Sequence, residues 1–402
     1  MCNFRLIVCL GAALSTATAF AQVNSQSNLG SQIAQSGAIA YVYIAAGPGG
    51  GNPNKVYAYS ANTNGTLTAI SGSPFAFNIG YMAVNGKYLM GIANDPNTPD
   101  INAFKIGTNG ALTYSTSTDY AKYNNPGGTE CGAAGSVRFD HTGADLYVQE
   151  FDGTPACAND LIASFKVNTS NGSLTYLGDA VDGAFPGVYN PPAITANNEY
   201  GYSAANSACM YYAIYGFQQE SNGLFNNLNE TYNQPTPSPG IRAYVADFLA
   251  TDPSNHLAVL EQPANPPGCA SGAFKVASYT VDGSGNLTTS DTYKTMPTSS
   301  VQSAYDMKMS PSGELVAIAG QEGLQVFHFN GGSSVSHYTK LLTSDPIVQM
   351  FWDNNNHLYA ISHSAGKLFV FTITPTAHTQ AAGSPYSLGD AQYIIVQPLT
   401  KQ

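Results

Sequence analysis

Ser136-Val137-Arg138-Phe139, Asp140-His141-Thr142-Gly143 and Asp145-Leu146-Tyr147-Val148-Gln149-Glu150 read in succession as a strand, a turn and a second strand. Aromatic and β-branched residues mark the strands, and Asp, Thr and Gly cluster where the chain must reverse. After a loop, Asp160 to Val167 reads as a third strand. Asn168 to Gly172 turns, and Leu174 to Gly178 begins a fourth. The whole stretch is a four-stranded antiparallel meander.

The same grammar recurs outward from it. An Asn-Gly-x-Leu turn precedes the fourth strand at Asn64-Gly65-Thr66-Leu67, Asn109-Gly110-Ala111-Leu112 and Asn171-Gly172-Ser173-Leu174, with degenerate copies at Asn222-Gly223-Leu224 and Gly285-Asn286-Leu287. Asn-Gly suits hairpins that need positive φ. Turns between first and second strands recur at Asn85-Gly86-Lys87, His141-Thr142-Gly143, Asn197-Asn198-Glu199, Pro253-Ser254-Asn255, Pro311-Ser312-Gly313 and Asn354-Asn355-Asn356. A seventh second strand, Tyr41 to Ala45, has no such partner before it, and a seventh first strand, Tyr393 to Val396, stands alone near the C-terminus.

Joining those two ends completes a ring and removes the exposed edges of an open stack. The expected fold is therefore all-β: a seven-bladed β-propeller of four-stranded antiparallel blades, formed as one domain over residues 40–398. Blade 1 is the split blade, and the stretch quoted first is blade 3. The Pro-rich segment Gln234 to Pro239 reads as a stiff loop between blades 4 and 5. Most of the 26 tyrosines alternate along strands and are expected between blades.

Residues 1–21 read as a secretory signal, with Arg5, an apolar run from Leu6 to Leu14 and the Ala19-Phe20-Ala21 cleavage site. That run is shorter than the roughly 20 apolar residues of a membrane span. Residues 22–39 read as a mobile leader rich in Gln and Ser. Removing the signal takes away Arg5 and no acid, which leaves 13 basic residues against 25 acidic ones. Such a chain lacks the basic footprint of a nucleic-acid or anionic-lipid binder. The expected protein is an exported monomer, periplasmic or secreted, with no membrane span. Cys131, Cys157, Cys209 and Cys269 stay in the exported part, where disulfides are possible. Loops shared by one face favour Cys131–Cys157 and Cys209–Cys269 among the three possible pairings. No cysteine or histidine spacing points to a metal, and no fingerprint points to a cofactor.

Val56-Tyr57-Ala58-Tyr59 running to Gly65-Thr66-Leu67, Gly72-Ser73-Pro74-Phe75, Gly383-Ser384-Pro385-Tyr386 and Pro311-Ser312-Gly313-Glu314-Leu315-Val316-Ala317 together carry a family likeness. Over residues 40–398 the chain resembles the bacterial seven-bladed lactonase-like propellers, a family that includes propeller-type 6-phosphogluconolactonase and the fungal carboxymuconate cyclases. The resemblance implies a hydrolase acting on a small anionic lactone at one mouth of a central channel. The family's enzymes carry an Arg-His pair leading into an inner strand and a Glu ending the next. Here Gly135-Ser136-Val137-Arg138 and Arg242-Ala243-Tyr244-Val245 contain no histidine. The resemblance thus nominates Glu150 and Glu261 as catalytic residues and supplies no catalytic histidine.

Strand direction alternates within a blade, so first-strand starts, second-strand ends and the loops from second to third strands share one face. Arg138, Glu150, Arg242 and Glu261 fall there, and Arg138 and Arg242 are the only arginines beyond residue 21. A guanidinium fork suits a carboxylate or phosphate, and a nearby carboxylate can act as base on attacking water. Each arginine could equally pair with an acid and tie adjacent blades together. Of the histidines only His363 lies in a loop of that face. Tyr120, Tyr123, Tyr189, Tyr211 and Tyr212 lie in or beside its loops, suited to stacking on a sugar or to packing. The alternative reading is a non-catalytic exported propeller that binds a glycan, peptide or protein partner through these loops.

Overall fold

A computed structural model describes residues 37–47, 51–93, 100–120, 133–151, 161–181, 191–204, 214–228, 233–265 and 272–399. These residues form seven antiparallel sheets and no helix. Blade 1 is closed as the sequence implied. Its inner strand, Asp390–Pro398, pairs with Ala40–Gly47, with Val42 opposite Val396 and Ile44 opposite Ile394. The inner strands of blades 2 to 7 are Ile79–Val84, Ala133–Phe139, Ala193–Ile194, Ala243–Thr251, Ala304–Met309 and Gln349–Trp352. Blade 7 departs from the four-strand pattern, because Tyr386–Ser387 adds a further pairing to its third strand. The second strands are almost wholly buried, since each has a strand on either side and a neighbouring blade on both faces.

All six turns between first and second strands share one construction. Each holds one residue in the left-handed region: Gly86, Gly143, Asn198, Asn255, Gly313 or Asn356. Glycine and asparagine are the residues that tolerate this conformation. At the start of each turn a short polar side chain accepts its later amides. Asp140 Oδ1 takes Ala144 and Asp145, Asp252 Oδ1 takes Ser254 and His256, and Asp353 Oδ1 takes Asn355 and His357. Asn85, Thr195 and Ser310 do the same in the remaining three. Side chains also link these turns around the ring. Asn85 donates to Gly143 O (2.9 Å) and Asn198 to Asp140 Oδ2 (3.1 Å).

The Asn-Gly-x-Leu turns lie on the same face, where a tyrosine from the preceding blade meets them. Tyr43 donates to Gly110 O (2.9 Å), Tyr147 to Gly223 O (2.9 Å) and Tyr202 to Gly285 O (2.8 Å), all buried. These contacts account for three of the buried tyrosines, while the glycines answer to the positive φ of the turns. At Gly110, with φ of 80°, a Cβ would lie 2.6 Å from the Tyr41 ring and 2.5 Å from Ile70. We expect Gly110→Ala to cost about 2–4 kcal/mol from backbone strain plus crowding. Gly240→Ala, at a similar φ but with no atom within 4 Å, should cost only about 1 kcal/mol. Urea unfolding midpoints of the two variants check the difference.

Candidate functional site

The inner strands do not run straight into the ring. Those of blades 1, 2, 3 and 6 break register near their starting end, and that of blade 5 breaks at its middle. A β-bulge re-aims the extra residue and bends the strand. Four residues at these irregularities, Tyr81, Asp247, Tyr305 and Gln392, line a central cavity of about 1290 Å³ to which every blade contributes. The bulges therefore gather polar and aromatic side chains around the mouth that faces away from the capped turns.

Arg138 is the sixth of the seven residues of blade 3's inner strand, two before the turn-capping Asp140, so it lies deep in that cavity toward the capped turns and not at the long-loop mouth where strand counting in the sequence puts it. Its Nη1 donates to Pro192 O (3.0 Å), and it forms no ion pair among the described residues. The side chain is half-buried: the cavity reaches it while protein surrounds it. Burial lowers its pKa from the ordinary arginine value, and Asp306 pulls the other way. Asp306 is itself well occupied. Its carboxylate accepts from the Met307 amide and Lys308 Nζ, and from the Met350 amide of the next blade (2.9 Å). Lys308 is thus paired, whereas the Arg138 fork, with its five donors, makes one side-chain hydrogen bond among the described residues.

At the mouth, His363 projects from the loop after blade 7's second strand. Its Nδ1 donates to Ala391 O (3.2 Å) and lies 2.8 Å from Asp390 Oδ1. His363 is 38% exposed and Asp390 15%. Gln349, which also lines the cavity, accepts the Ile394 amide through Oε1 (2.6 Å), which fixes the amide orientation and leaves its NH2 end in the cavity wall. The rings of Tyr81 and Tyr393 lie 4.5 Å apart. Burial first, then Tyr81, raises the Tyr393 pKa well above the phenol range, so Tyr393 stays a neutral donor.

The other sequence candidates lie elsewhere. Arg242 is exposed, ahead of blade 5's inner strand and outside the cavity lining; its backbone amide donates to Ala264 O and Asn265 Oδ1. Glu261 is 2% exposed, well short of its strand's end at Ala264 and among the residues packed between blades 4 and 5. Tyr279 donates to its Oε1 (2.7 Å), while Oε2 is buried with no partner among the described residues. Burial pushes its carboxyl up to about 8, against the Tyr279 hydrogen bond; Asp291 adds to the rise. Glu150 pairs with Ala134 through the backbone, but its side chain lies outside the described residues. Cys131, Cys157, Cys209 and Cys269 lie outside them too, as do Tyr123, Tyr189, Tyr211 and Tyr212. Tyr120 is fully buried against Phe165 (6.0 Å) and presents no stacking surface. Sequence reading missed Asp247, Gln349 and Asp390. Gly80 and Gly135, glycines within inner strands at two of the breaks, are the local signals of a bulge.

No family model matches this sequence, and no curated protein matches it. Solved structures do. A periplasmic gluconolactonase from Pseudomonas aeruginosa aligns with a TM-score of 0.61 at 11% identity, covering 90% of this chain and 99% of that one. A protein from Bacteroides uniformis assigned as a 6-phosphogluconolactonase gives 0.63 at 14% identity, with 90% and 99% covered. The architecture is that of the lactonase-like seven-bladed propellers. A protein from Lactobacillus plantarum gives the same TM-score of 0.63 at 13% identity, covering 89% and 99%. At these identities the likeness to lactonase-like propellers is one of fold, and function rests on the site.

Proposed function

We propose that this protein takes a small anionic lactone into its central channel and opens it with water at the mouth lined by Tyr81, Gln349 and His363. The observation that carries this reading is Arg138, an arginine held within the channel with one backbone hydrogen bond and no described carboxylate partner. A guanidinium so placed binds a carboxylate or phosphate through charge-assisted, fork-shaped hydrogen bonds. The cavity, about 1290 Å³ with tyrosine rings and amides at its entrance, exceeds the needs of one sugar-sized ring. The fold of the gluconolactonase neighbour adds support by analogy, and the signal-like residues 1–21 support a reaction outside the cytoplasm.

Calorimetric titration with gluconate and gluconate 6-phosphate tests the anion site. Wild type should bind at least one of them. Arg138→Met should weaken that binding about 10- to 150-fold, the worth of a charge-assisted hydrogen bond lost. Equal affinity in both proteins would remove Arg138 from the site. Binding without turnover of any lactone would favour a ligand-binding propeller, a reading to which the exposed Tyr305 at the rim (43%) also lends itself.

A further inference from the structure

We infer that His363, set by Asp390 and Ala391, is the general base that activates the attacking water; this rests on the hydrolytic reading above. Three His–Asp pairs occur among the described residues. Two belong to the capped turns, where Asp252 and Asp353 also hold turn amides and the pair has a structural purpose. The third is different. It joins a loop of blade 7 to the start of blade 1's inner strand, and its histidine lines the cavity.

The tautomer follows from the partners. A backbone carbonyl only accepts, so the Nδ1 that meets Ala391 O must carry the proton. Neutral His363 therefore has its lone pair on Nε2, which no described residue occupies. A carboxylate 2.8 Å from Nδ1 stabilises the imidazolium that forms when Nε2 takes a proton. This is a base with an orienting group behind it.

The step balances simply. Nε2 takes a proton from water as the water oxygen bonds to the lactone carbonyl carbon. The tetrahedral intermediate then collapses by breaking the bond to the ring oxygen. The proton passes from Nε2 to that leaving oxygen, giving a hydroxy acid and restoring the neutral histidine. Gln349, with its carbonyl end pinned by Ile394, offers an N–H to the developing oxyanion.

The test pairs turnover of D-glucono-δ-lactone and its 6-phosphate with binding of the corresponding acids, in wild type, His363→Gln and Asp390→Asn. His363→Gln should lose about 10²- to 10⁴-fold in kcat. It should keep acid binding within about threefold and lose the limb on which activity rises with pH. Asp390→Asn should lose about 10- to 100-fold, because Ala391 still fixes the tautomer. Wild-type kcat in His363→Gln would overturn the assignment, as would loss of binding together with turnover. A wild type that binds the acids but opens neither lactone would defeat the hydrolytic reading itself, and the base with it.

Discussion

Truncation after Gly389 is expected to leave no folded propeller. The segment removed is the inner strand of blade 1, the piece that closes the ring. Ile394, Ile395 and Val396 are at most 5% exposed, and Ala391 is fully buried. Burial of an aliphatic side chain of this size contributes about 1.5–3 kcal/mol, so the three larger ones alone amount to about 5–9 kcal/mol. Their loss also uncovers a complete edge of Ala40–Gly47, which pairs with the removed strand along its whole length. Domains of ordinary stability hold only about 5–15 kcal/mol in reserve. Circular dichroism and size exclusion of the truncated protein check this. A cooperative unfolding transition near the wild-type midpoint would show that closure contributes little. Adding the peptide 390–398 in trans should recover structure in proportion to its occupancy.

Stability should fall as pH rises from about 4 to 8, and Glu261 should account for most of the fall. Its native carboxyl titrates at about 8, against 4.5 when exposed. Between those values the folded state holds a proton that the unfolded state has released. The stabilising contribution is therefore complete below pH 4.5 and is lost as pH rises through 8. Linkage gives about 4 kcal/mol between pH 4 and pH 8. The cause is geometric. Glu261 sits in a second strand, behind the inner strand, with Oε2 buried and unpartnered among the described residues. Glu261→Gln keeps an acceptor for Tyr279 and cannot ionise. Urea denaturation of both proteins across this pH range should show wild type losing stability relative to the variant. Parallel pH dependences would mean that the carboxylate is accommodated at neutral pH.

These results separate what local sequence encodes from what it does not. The turns were legible because their chemistry is local: a left-handed residue needs glycine or asparagine, and a polar side chain at the turn's start caps the amides that follow. The closing strand was legible for a related reason, since an unpaired first strand and an unpaired second strand imply each other. The site was only partly legible. Arg138 and Arg242 look alike in sequence, because both fall near an inner strand. Only strand register tells that Arg138 lies within its strand on the channel side while Arg242 precedes its own. Glu261 reads in the sequence as the end of blade 5's second strand, which implies a mouth position. A residue in a second strand reaches the channel only beyond the strand's end, and Glu261 stops short of it. Asp247 enters the cavity through a bulge, a property of two strands together. Asp390 meets His363 only after the ring has closed.

The most direct test of the functional account is a pH-stat assay of wild-type protein against D-glucono-δ-lactone, its 6-phosphate and a panel of other small anionic lactones. Catalysed opening of at least one of them is expected, with competitive inhibition by the acid product and loss of affinity in Arg138→Met. Rates equal to buffer across the panel, or turnover that Arg138→Met leaves untouched, would contradict it.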